Sequence, residues 1–296
     1  MIKRDKIRFT PKRCVIAILS LVLVAAIITG ICIHHHKSAY ACQYATPFLV
    51  DEVSNSDDVI FIAHRGLATQ APENTLPAYE QAAAHGFRYV ETDIHATADG
   101  VWVLTHDASL KRMTGYSGNV EKMSFAEVQQ HKITKGANIQ EYPDLVTPTY
   151  EEFIRLCKEK GLIPLIEIKT KPEEYPNAPY RDILSVLEQY GMIQKAIIIS
   201  FYADVLETLR EYNQEIAMQY LVKKIDEQAL RTAEQIGSCG IDCAYSSLLQ
   251  NYEMVATAKQ QQHIALNAWT ADTIEDVQQL CDIGVDYITT NALRYK

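Results

Sequence analysis

The stretch VETDIHATADGVWVLTHD (Val90–Asp107) contains a strand, a tight turn and a second strand. The turn, Ala98-Asp99-Gly100, is typical of β-hairpins. Because a hairpin makes its two strands antiparallel, the run Val101–Thr105 cannot belong to a parallel sheet that continues from the first strand. We therefore expect it to leave that sheet as an excursion above it.

On both sides of this hairpin, short runs rich in Ile, Val and Tyr alternate with stretches of helical hydrophobic spacing. The predicted strands are Val59–Ala63, Tyr89–Ile94, Ile163–Ile168, Ala196–Ser200, Ala217–Val222, Ile241–Tyr245, Ile264–Trp269 and Tyr287–Thr290. The predicted helices are residues 75–84, 149–159, 181–189, 203–212, 226–235, 252–262 and 273–281. Eight strands in about 240 residues predict an α/β fold, the TIM (β/α)8 barrel. A doubly wound sheet uses the same alternation, but we would expect fewer strands in it.

The segment Ala108–Thr147 does not fit the alternation. It is long and polar, and it contains several turn-forming residues, among them Gly118 and Pro143. We predict that it forms a small lobe inserted between the second strand and the second helix of a barrel domain at residues 59–296.

The N-terminus differs in charge from the rest of the chain. Residues 1–13 carry six Lys and Arg against one acid, and Cys14–Ile33 is a run of twenty uncharged residues. Twenty apolar residues suffice to cross a bilayer core of roughly 30 Å. We predict a basic cytoplasmic flank (1–13), one transmembrane helix (14–33) and a linker (34–58), with the barrel domain outside the membrane. The competing interpretation is a cleaved signal peptide, because Ala39-Tyr40-Ala41 resembles a cleavage site several residues beyond the apolar run.

Residues 38–296 are strongly acidic, with a net charge of about −15. Nucleic-acid binding depends on neutralisation of phosphates by a basic surface, so we predict no nucleic-acid partner. A phosphoester substrate is not excluded, because a bound divalent cation reverses the local field.

The seven cysteines show no paired Cys-x-x-Cys elements of the kind that bind zinc. Cys239 and Cys243 have two interpretations: a disulfide in an oxidising compartment, or two small residues of the core.

Ionisable side chains lie at the ends of the predicted strands. They are His64 and Arg65 on the first strand, Glu91 and Asp93 on the second, His106 after the hairpin, and Glu167 and Lys169 on the third. The C-terminal strand ends of a TIM barrel meet at one rim, where the active site lies. Carboxylates bind hard cations, paired histidines transfer protons, and Arg with Lys binds phosphate. Each residue alone has a structural alternative, such as an ion pair at the rim, but the combination indicates metal-assisted cleavage of a phosphate ester.

Three further residues have open interpretations. His95 either makes a hydrogen bond at the site or packs in the interior. Asn74 suits the N-cap of the first helix. Trp269 either forms an apolar wall for the substrate or is a core aromatic.

The order of these residues resembles that of the glycerophosphodiester phosphodiesterase family. The matching elements are His64-Arg65-Gly66, Glu73-Asn74-Thr75, Glu91-x-Asp93, Asp99-Gly100, His106-Asp107, Glu167-Ile168-Lys169, Trp269-Thr270 and Thr289-Thr290-Asn291. The resemblance covers Val59 to Asn291, and its specificity lies in the order and spacing rather than in any one element. One position departs from the pattern: the family often has Asn a few residues after its tryptophan, where this chain has Asp272. If that position contacts the substrate, we expect a different specificity.

The resemblance implies a TIM barrel with an insertion after the second strand, and one divalent cation, Ca²⁺ or Mg²⁺. It implies cation binding by Glu91, Asp93 and Glu167, acid and base roles for His64 and His106, and phosphate binding by Arg65 and Lys169. The implied reaction is hydrolysis of a glycerophosphodiester to glycerol 3-phosphate and an alcohol, with glycerophosphocholine or glycerophosphoethanolamine as examples of the substrate.

Other functions remain compatible with the same barrel. The predicted anchor suits a lysophospholipase D-like enzyme, or an enzyme that cleaves glycerophosphate polymers at a membrane surface. A binding module without catalysis is disfavoured, because both histidines and all three carboxylates are present.

Overall fold

The computed structural model describes residues 46–175 and 178–295. The predicted flank, the predicted transmembrane helix and the first part of the predicted linker lie outside the described residues. Within these two ranges, no helix combines the length and the hydropathy that are needed to span a bilayer.

Eight parallel strands form a closed barrel. They are β2 (Ile60–Ala63), β3 (Tyr89–Ala96), β5 (Ile163–Ile168), β6 (Ile197–Ser200), β7 (Ala217–Val222), β8 (Cys239–Ala244), β9 (Leu266–Trp269) and β10 (Tyr287–Thr290). Neighbouring strands in this order pair with each other, and β2 also pairs with β10, which closes the barrel. The predicted TIM barrel is confirmed, and every predicted strand agrees with the structure to within two residues at each end.

The helices surround the barrel and follow its strands. They are α1 (Leu76–Ala84), α2 (Lys111–Thr114), α3 (Phe125–Val128), α4 (Tyr150–Lys160), α5 (Tyr180–Gln189), α6 (Ala203–Tyr212), α7 (Glu227–Ile236), α8 (Tyr245–Gln250), α9 (Tyr252–Gln262) and α10 (Ile274–Asp282). Capping fixes both ends of α4: Thr149 and Glu152 form a capping box at its start, and Gly161 ends it in the left-handed conformation. The short helix α8 was not predicted, because its first residue, Tyr245, extends the β-rich run of the strand before it.

The hairpin is confirmed. Strand β4 (Trp102–Leu104) pairs antiparallel with the end of β3, where His95 faces Val103. The following segment forms a lobe with a small apolar core of its own, made of Val103, Leu110, Val120 and Val128. The lobe therefore lies next to the C-terminal end of β3.

The predicted linker, residues 34–58, extends too far along the chain, because its last residues belong to the folded domain. Strand β1 (Phe48–Leu49) pairs in parallel with β11 (Leu293–Arg294), and both Phe48 and Val53 are buried. These apolar side chains, spaced among polar residues, attach the segment before β2 to the barrel. Residues 46–58 are therefore part of the folded domain.

An apolar layer fills the barrel below the site. It consists of Ile62, Leu165, Ile197, Ile199 and Leu221. Side chains two residues apart on a strand point to the same side, so Glu167 follows Leu165 into the interior, one layer nearer to the C-terminal rim. The apolar layer thus excludes water below the carboxylates.

The described cysteines are free and buried: Cys157, Cys239, Cys243 and Cys281. The interpretation of Cys239 and Cys243 as core residues is therefore confirmed.

Candidate active site

Three carboxylates meet inside the C-terminal end of the barrel. Glu91, Asp93 and Glu167 are 3%, 0% and 7% exposed, and one oxygen of each lies within 4.8 Å of the others. Asp93 and Glu167 are direct partners in the pairing of β3 with β5. Strand register therefore brings together three residues that are up to 76 positions apart in the sequence.

Burial and mutual repulsion make this cluster costly when no cation is bound. Burial, together with the charges of Asp93 and Glu167, raises the pKa of Glu91 well above its usual range. Burial also raises the pKa of Glu167 to about 7, against the opposing effect of Lys169. Burial acts on Asp93 as well, but the charges of Lys169 and Arg65 outweigh it and hold the pKa of Asp93 well below its usual range. The three groups therefore cannot all be stable anions without added positive charge.

The donor set fits a hard divalent cation. Oε1 of Glu91, Oδ1 of Asp93 and Oε1 of Glu167 are buried. Among the described residues Oε1 of Glu91 makes no hydrogen bond, while the other two atoms face the ammonium group of Lys169. A buried anionic oxygen without a hydrogen bond is strongly destabilising. A cation with a preference for oxygen ligands would satisfy all three atoms at once.

Two basic side chains flank the cluster. The ammonium Nζ of Lys169 lies 2.6 Å from Oε1 of Glu167 and 3.1 Å from Oδ1 of Asp93. The guanidinium of Arg65 contacts Asp93 through Nε at 3.3 Å and Glu73 through Nη1 at 2.9 Å, and its main-chain N–H donates to Glu91. Arg65 has a positive φ of 57°.

His64 lies beside the cluster and is largely buried. Its Nδ1 is 3.0 Å from Oδ1 of Asn291, and its Nε2 is 4.0 Å from Oε2 of Glu91. Burial, assisted by the charge of Arg65, lowers the pKa of His64 to about 3. The imidazole is therefore neutral at physiological pH.

His106 has a different environment at the end of the hairpin. Its side chain is one-third exposed, and Nδ1 lies 2.7 Å from Oδ1 of Asp107. Arg112 of the lobe binds the other oxygen of Asp107 at 2.6 Å and Glu73 at 2.7 Å. The hydrogen bond from His106, followed by those from Arg112, holds the pKa of Asp107 well below its usual range. His106 thus has an anionic partner.

His95 makes hydrogen bonds, so the packing interpretation is wrong. Its Nδ1 lies 2.8 Å from Oε1 of Glu121, and its Nε2 lies 3.3 Å from the main-chain oxygen of His106. His95 therefore connects the lobe, which carries Glu121, to the backbone that presents His106.

The interpretation of Asn74 as an N-cap is also wrong. The N-cap of α1 is Thr75, and Asn74 adopts a positive φ of 53°. Its amide donates to Oδ2 of Asp93 at 2.7 Å and accepts from the main-chain N–H of Asp93 at 3.1 Å. This pair of bonds orients the Asp93 carboxylate. The turn before α1 places the Asn74 amide where it can make both bonds.

Trp269 is the last residue of β9, and its side chain contacts residues of two other segments of the barrel. Its ring packs edge-on against Phe201 with centroids 5.8 Å apart, and Nε1 donates to the main-chain oxygen of Asp242 at 3.4 Å. Its role as a wall for the substrate stays a prediction.

Four site residues had no assigned role in the sequence-based prediction: Glu73, Asp107, Arg112 and Asn291. Glu73 and Asp107 belong to motifs that the sequence analysis recognised. Their closeness in sequence to His64 and His106 could have indicated a place in the site. Arg112 offered none, because its contacts depend on how the lobe folds. Asp272, the departure noted above, binds Asn291 through both oxygens.

The arrangement has a counterpart in known proteins. The sequence profile of the glycerophosphoryl diester phosphodiesterase family matches residues 64–294. The chain belongs to this family. The match covers every residue of the site described above.

Two similar proteins named glycerophosphodiester phosphodiesterase support the assignment. One aligns over most of its length and the other over about half. A protein of Caldanaerobacter subterraneus with that name is 27% identical over 78% of this chain and 93% of its own length. Glycerophosphodiester phosphodiesterase 1 of Mus musculus is 34% identical over 163 residues, which are 54% of this chain and 48% of the mouse protein. The chain thus spans about half the length of that mammalian relative.

A solved structure shows a similar fold with a product. A phosphodiesterase of Oleispira antarctica in complex with sn-glycerol-3-phosphate superposes with a TM-score of 0.72 at 28% identity. The superposition covers 80% of this chain and 94% of that protein.

Proposed function

We propose that this protein hydrolyses glycerophosphodiesters to glycerol 3-phosphate and an alcohol, with the help of one divalent cation. The observation that carries the proposal is the buried cluster of Glu91, Asp93 and Glu167, in which Oε1 of Glu91 has no hydrogen bond among the described residues, between two histidines and two basic side chains. The sn-glycerol-3-phosphate bound by the Oleispira relative supports the choice of substrate class.

The cation would be Ca²⁺ or Mg²⁺, bound by Glu91, Asp93 and Glu167. All three donors are carboxylate oxygens, and no thiolate or imidazole of residues 46–175 and 178–295 joins the cluster, which favours hard cations over zinc or copper. When bound, the cation would polarise the phosphoryl oxygens and neutralise charge that develops on them.

Arg65 and Lys169 bind the phosphate diester in this proposal. Both side chains now contact the carboxylates, so a bound cation would compete for the same oxygens and free the two basic groups for the substrate. Arg presents a planar fork to phosphate oxygens, while Lys supplies a point charge.

His64 accepts a proton and His106 donates one. The neutral His64 presents Nε2 toward the cluster, where it removes the proton of the attacking hydroxyl. Attack by water gives glycerol 3-phosphate directly, whereas attack by the glycerol hydroxyl next to the phosphate gives a cyclic phosphate that water then opens. The P–O bond to the alcohol breaks as the new P–O bond forms, and His106 protonates the departing oxygen. The hydrogen bond between Nδ1 of His106 and the carboxylate of Asp107 orients the imidazole, and the proposal assigns His106 as the acid.

Water-soluble diesters are favoured over lysophospholipids as substrates. Among the described residues, the exposed large apolar side chains are Tyr116, Tyr212 and Tyr252, and only Tyr116 belongs to the lobe. An enzyme that extracts an acyl chain would need a larger apolar surface near the rim.

The membrane anchor is a separate part of the proposal. The charge-free run Cys14–Ile33 after a basic flank supports a single-pass helix with the barrel domain outside the cytoplasm. Deletion of residues 1–33 should release an active protein from the membrane fraction. A truncated protein that stays with membranes would contradict anchoring by this segment alone.

The activity test uses the full-length chain, stripped with a chelator and then supplied with Ca²⁺ or Mg²⁺. We expect either cation to restore release of glycerol 3-phosphate from glycerophosphocholine and glycerophosphoethanolamine. Release from a lysophospholipid alone would support the lysophospholipase D-like alternative. No release from any of these substrates despite cation binding would refute the proposed activity.

A further inference from the structure

We infer that Asp272 is a positioning residue that acts through Asn291 to hold the proton of His64 on Nδ1 and leave Nε2 free to accept one. The inference rests on the proposed function, in which His64 is the base, and it assigns Asp272 a role through its bonds to Asn291.

Asp272 determines the orientation of the Asn291 side chain. Its Oδ1 accepts from the main-chain N–H of Asn291 at 2.7 Å, and its Oδ2 lies 2.8 Å from the side-chain amide nitrogen. A carboxylate can only accept hydrogen bonds, so the group of Asn291 that faces it must be the NH₂. The carbonyl oxygen of the same amide must then point the other way.

That carbonyl oxygen faces His64. Oδ1 of Asn291 lies 3.0 Å from Nδ1 of the imidazole. An amide oxygen can only accept, so Nδ1 must carry the proton. In a neutral imidazole the other nitrogen then has a lone pair, and this atom, Nε2, is the one that faces Glu91 in the carboxylate cluster.

Main-chain bonds hold His64 and the residues that precede Asp272 and Asn291. The main-chain N–H of His64 donates to Thr290, and that of Ala271 donates to Thr289, at 3.1 Å in each case. Asn291 is 5% exposed, so water does not compete for its amide. A change of hydrogen-bonding polarity at position 272 should therefore pass to His64 without moving the backbone.

The substitution Asp272→Asn keeps the shape of the side chain and reverses this polarity. Its oxygen would keep the main-chain bond, and its NH₂ would face the NH₂ of Asn291. The Asn291 amide would have to rotate by about 180° to offer its oxygen, and its NH₂ would then face Nδ1 of His64. His64 would respond by placing its proton on Nε2, which removes the base.

The test compares Asp272→Asn with the reciprocal swap D272N/N291D in the full-length chain. In the swap, an acceptor again faces Nδ1 of His64, and the amide at position 272 donates to it. We expect Asp272→Asn to lower kcat for glycerophosphocholine roughly 10²-fold, with KM and cation affinity changed less than about 3-fold. The swap should recover most of the lost kcat, and Asp282→Asn, an exposed change on α10, should have no effect.

A second measurement reads the position of the proton without turnover. Long-range ¹H–¹⁵N spectra of the histidine-labelled chain, assigned with His64→Gln, distinguish the two imidazole tautomers. We expect the Nδ1–H form in the wild type and the Nε2–H form in Asp272→Asn. Unchanged kcat in that variant, an unchanged tautomer, or a folded swap that is no faster than the single variant would each overturn the inference. A wild-type protein with no activity would instead refute the proposed function, and the tautomer result would still stand.

Discussion

The two sides of the site are built differently. On the barrel side, Glu91, Asp93 and Glu167 project from paired strands and are buried. On the hairpin side, His106, Asp107 and Arg112 belong to an excursion and its lobe, and their side chains are about one-third exposed. In the proposed mechanism the buried side would bind the cation, whereas the exposed side would supply the proton donor. The proposal thus places cation binding and proton donation on separate parts of the fold.

The largest effect should follow from loss of the barrel side. Glu91→Ala or Asp93→Ala should lower kcat by roughly 10³-fold or more, because phosphoryl charge loses its cation. The same variants should lose the rise in thermal midpoint that Ca²⁺ or Mg²⁺ gives the wild type. Glu159→Ala removes an exposed acid of α4 and is the matched control. Activity loss with undiminished cation stabilisation would show that these residues are not cation ligands.

A smaller effect should follow on the hairpin side. Asp107→Asn removes the anionic partner of His106 and should lower kcat by about 10-fold, since hydrogen bonds to charged groups contribute about 1.5–3 kcal/mol. Cation affinity should not change, because Asp107 lies outside the carboxylate cluster. Parallel measurements of kcat and of cation titration test the separation of the two sides. A matching loss of cation affinity would contradict that separation.

The smallest effect concerns stability in the absence of cation. Burial raises the pKa of Glu167 to about 7, so the folded state binds this proton more tightly than the unfolded state does. Stability from this group is complete below its ordinary pKa and is lost as pH rises toward 7. The lowered pKa of His64 acts in the opposite direction between pH 5 and 6.5, but this contribution is common to the wild type and a Glu167 variant.

Denaturation in chelator at pH 5 and pH 8 isolates the contribution of Glu167. We expect the wild type to lose about 2 kcal/mol more over this interval than Glu167→Gln does. Glu174→Gln, on an exposed loop, should behave like the wild type. Equal pH dependence in the wild type and Glu167→Gln would show that Glu167 is not a strained carboxylate in the cation-free protein.

The same comparison explains how much could be predicted from the sequence. Strand periodicity places Glu91 and Asp93 on one face, and the barrel rule brings Glu167 to them, so the barrel side was foreseeable from local pattern. The partners of His106 were not, because Arg112 reaches Asp107 only through the fold of the lobe. Polar contacts between distant segments, such as Asn74 with Asp93, leave no periodic signal. The linker was misassigned for a related reason, since a two-residue strand such as Phe48–Leu49 is too short to show alternation.

The division of labour between His64 and His106 is the central claim, and the leaving group tests it most directly. His64→Ala and His106→Ala would each be assayed on glycerophosphocholine and on a p-nitrophenyl ester of glycerol 3-phosphate, whose leaving group needs no protonation. We predict that His106→Ala loses roughly 10²- to 10⁴-fold on the choline diester and much less on the nitrophenyl ester, whereas His64→Ala loses equally on both. An equal loss for His106→Ala on the two substrates, or rescue of His64→Ala by the better leaving group, would contradict the account.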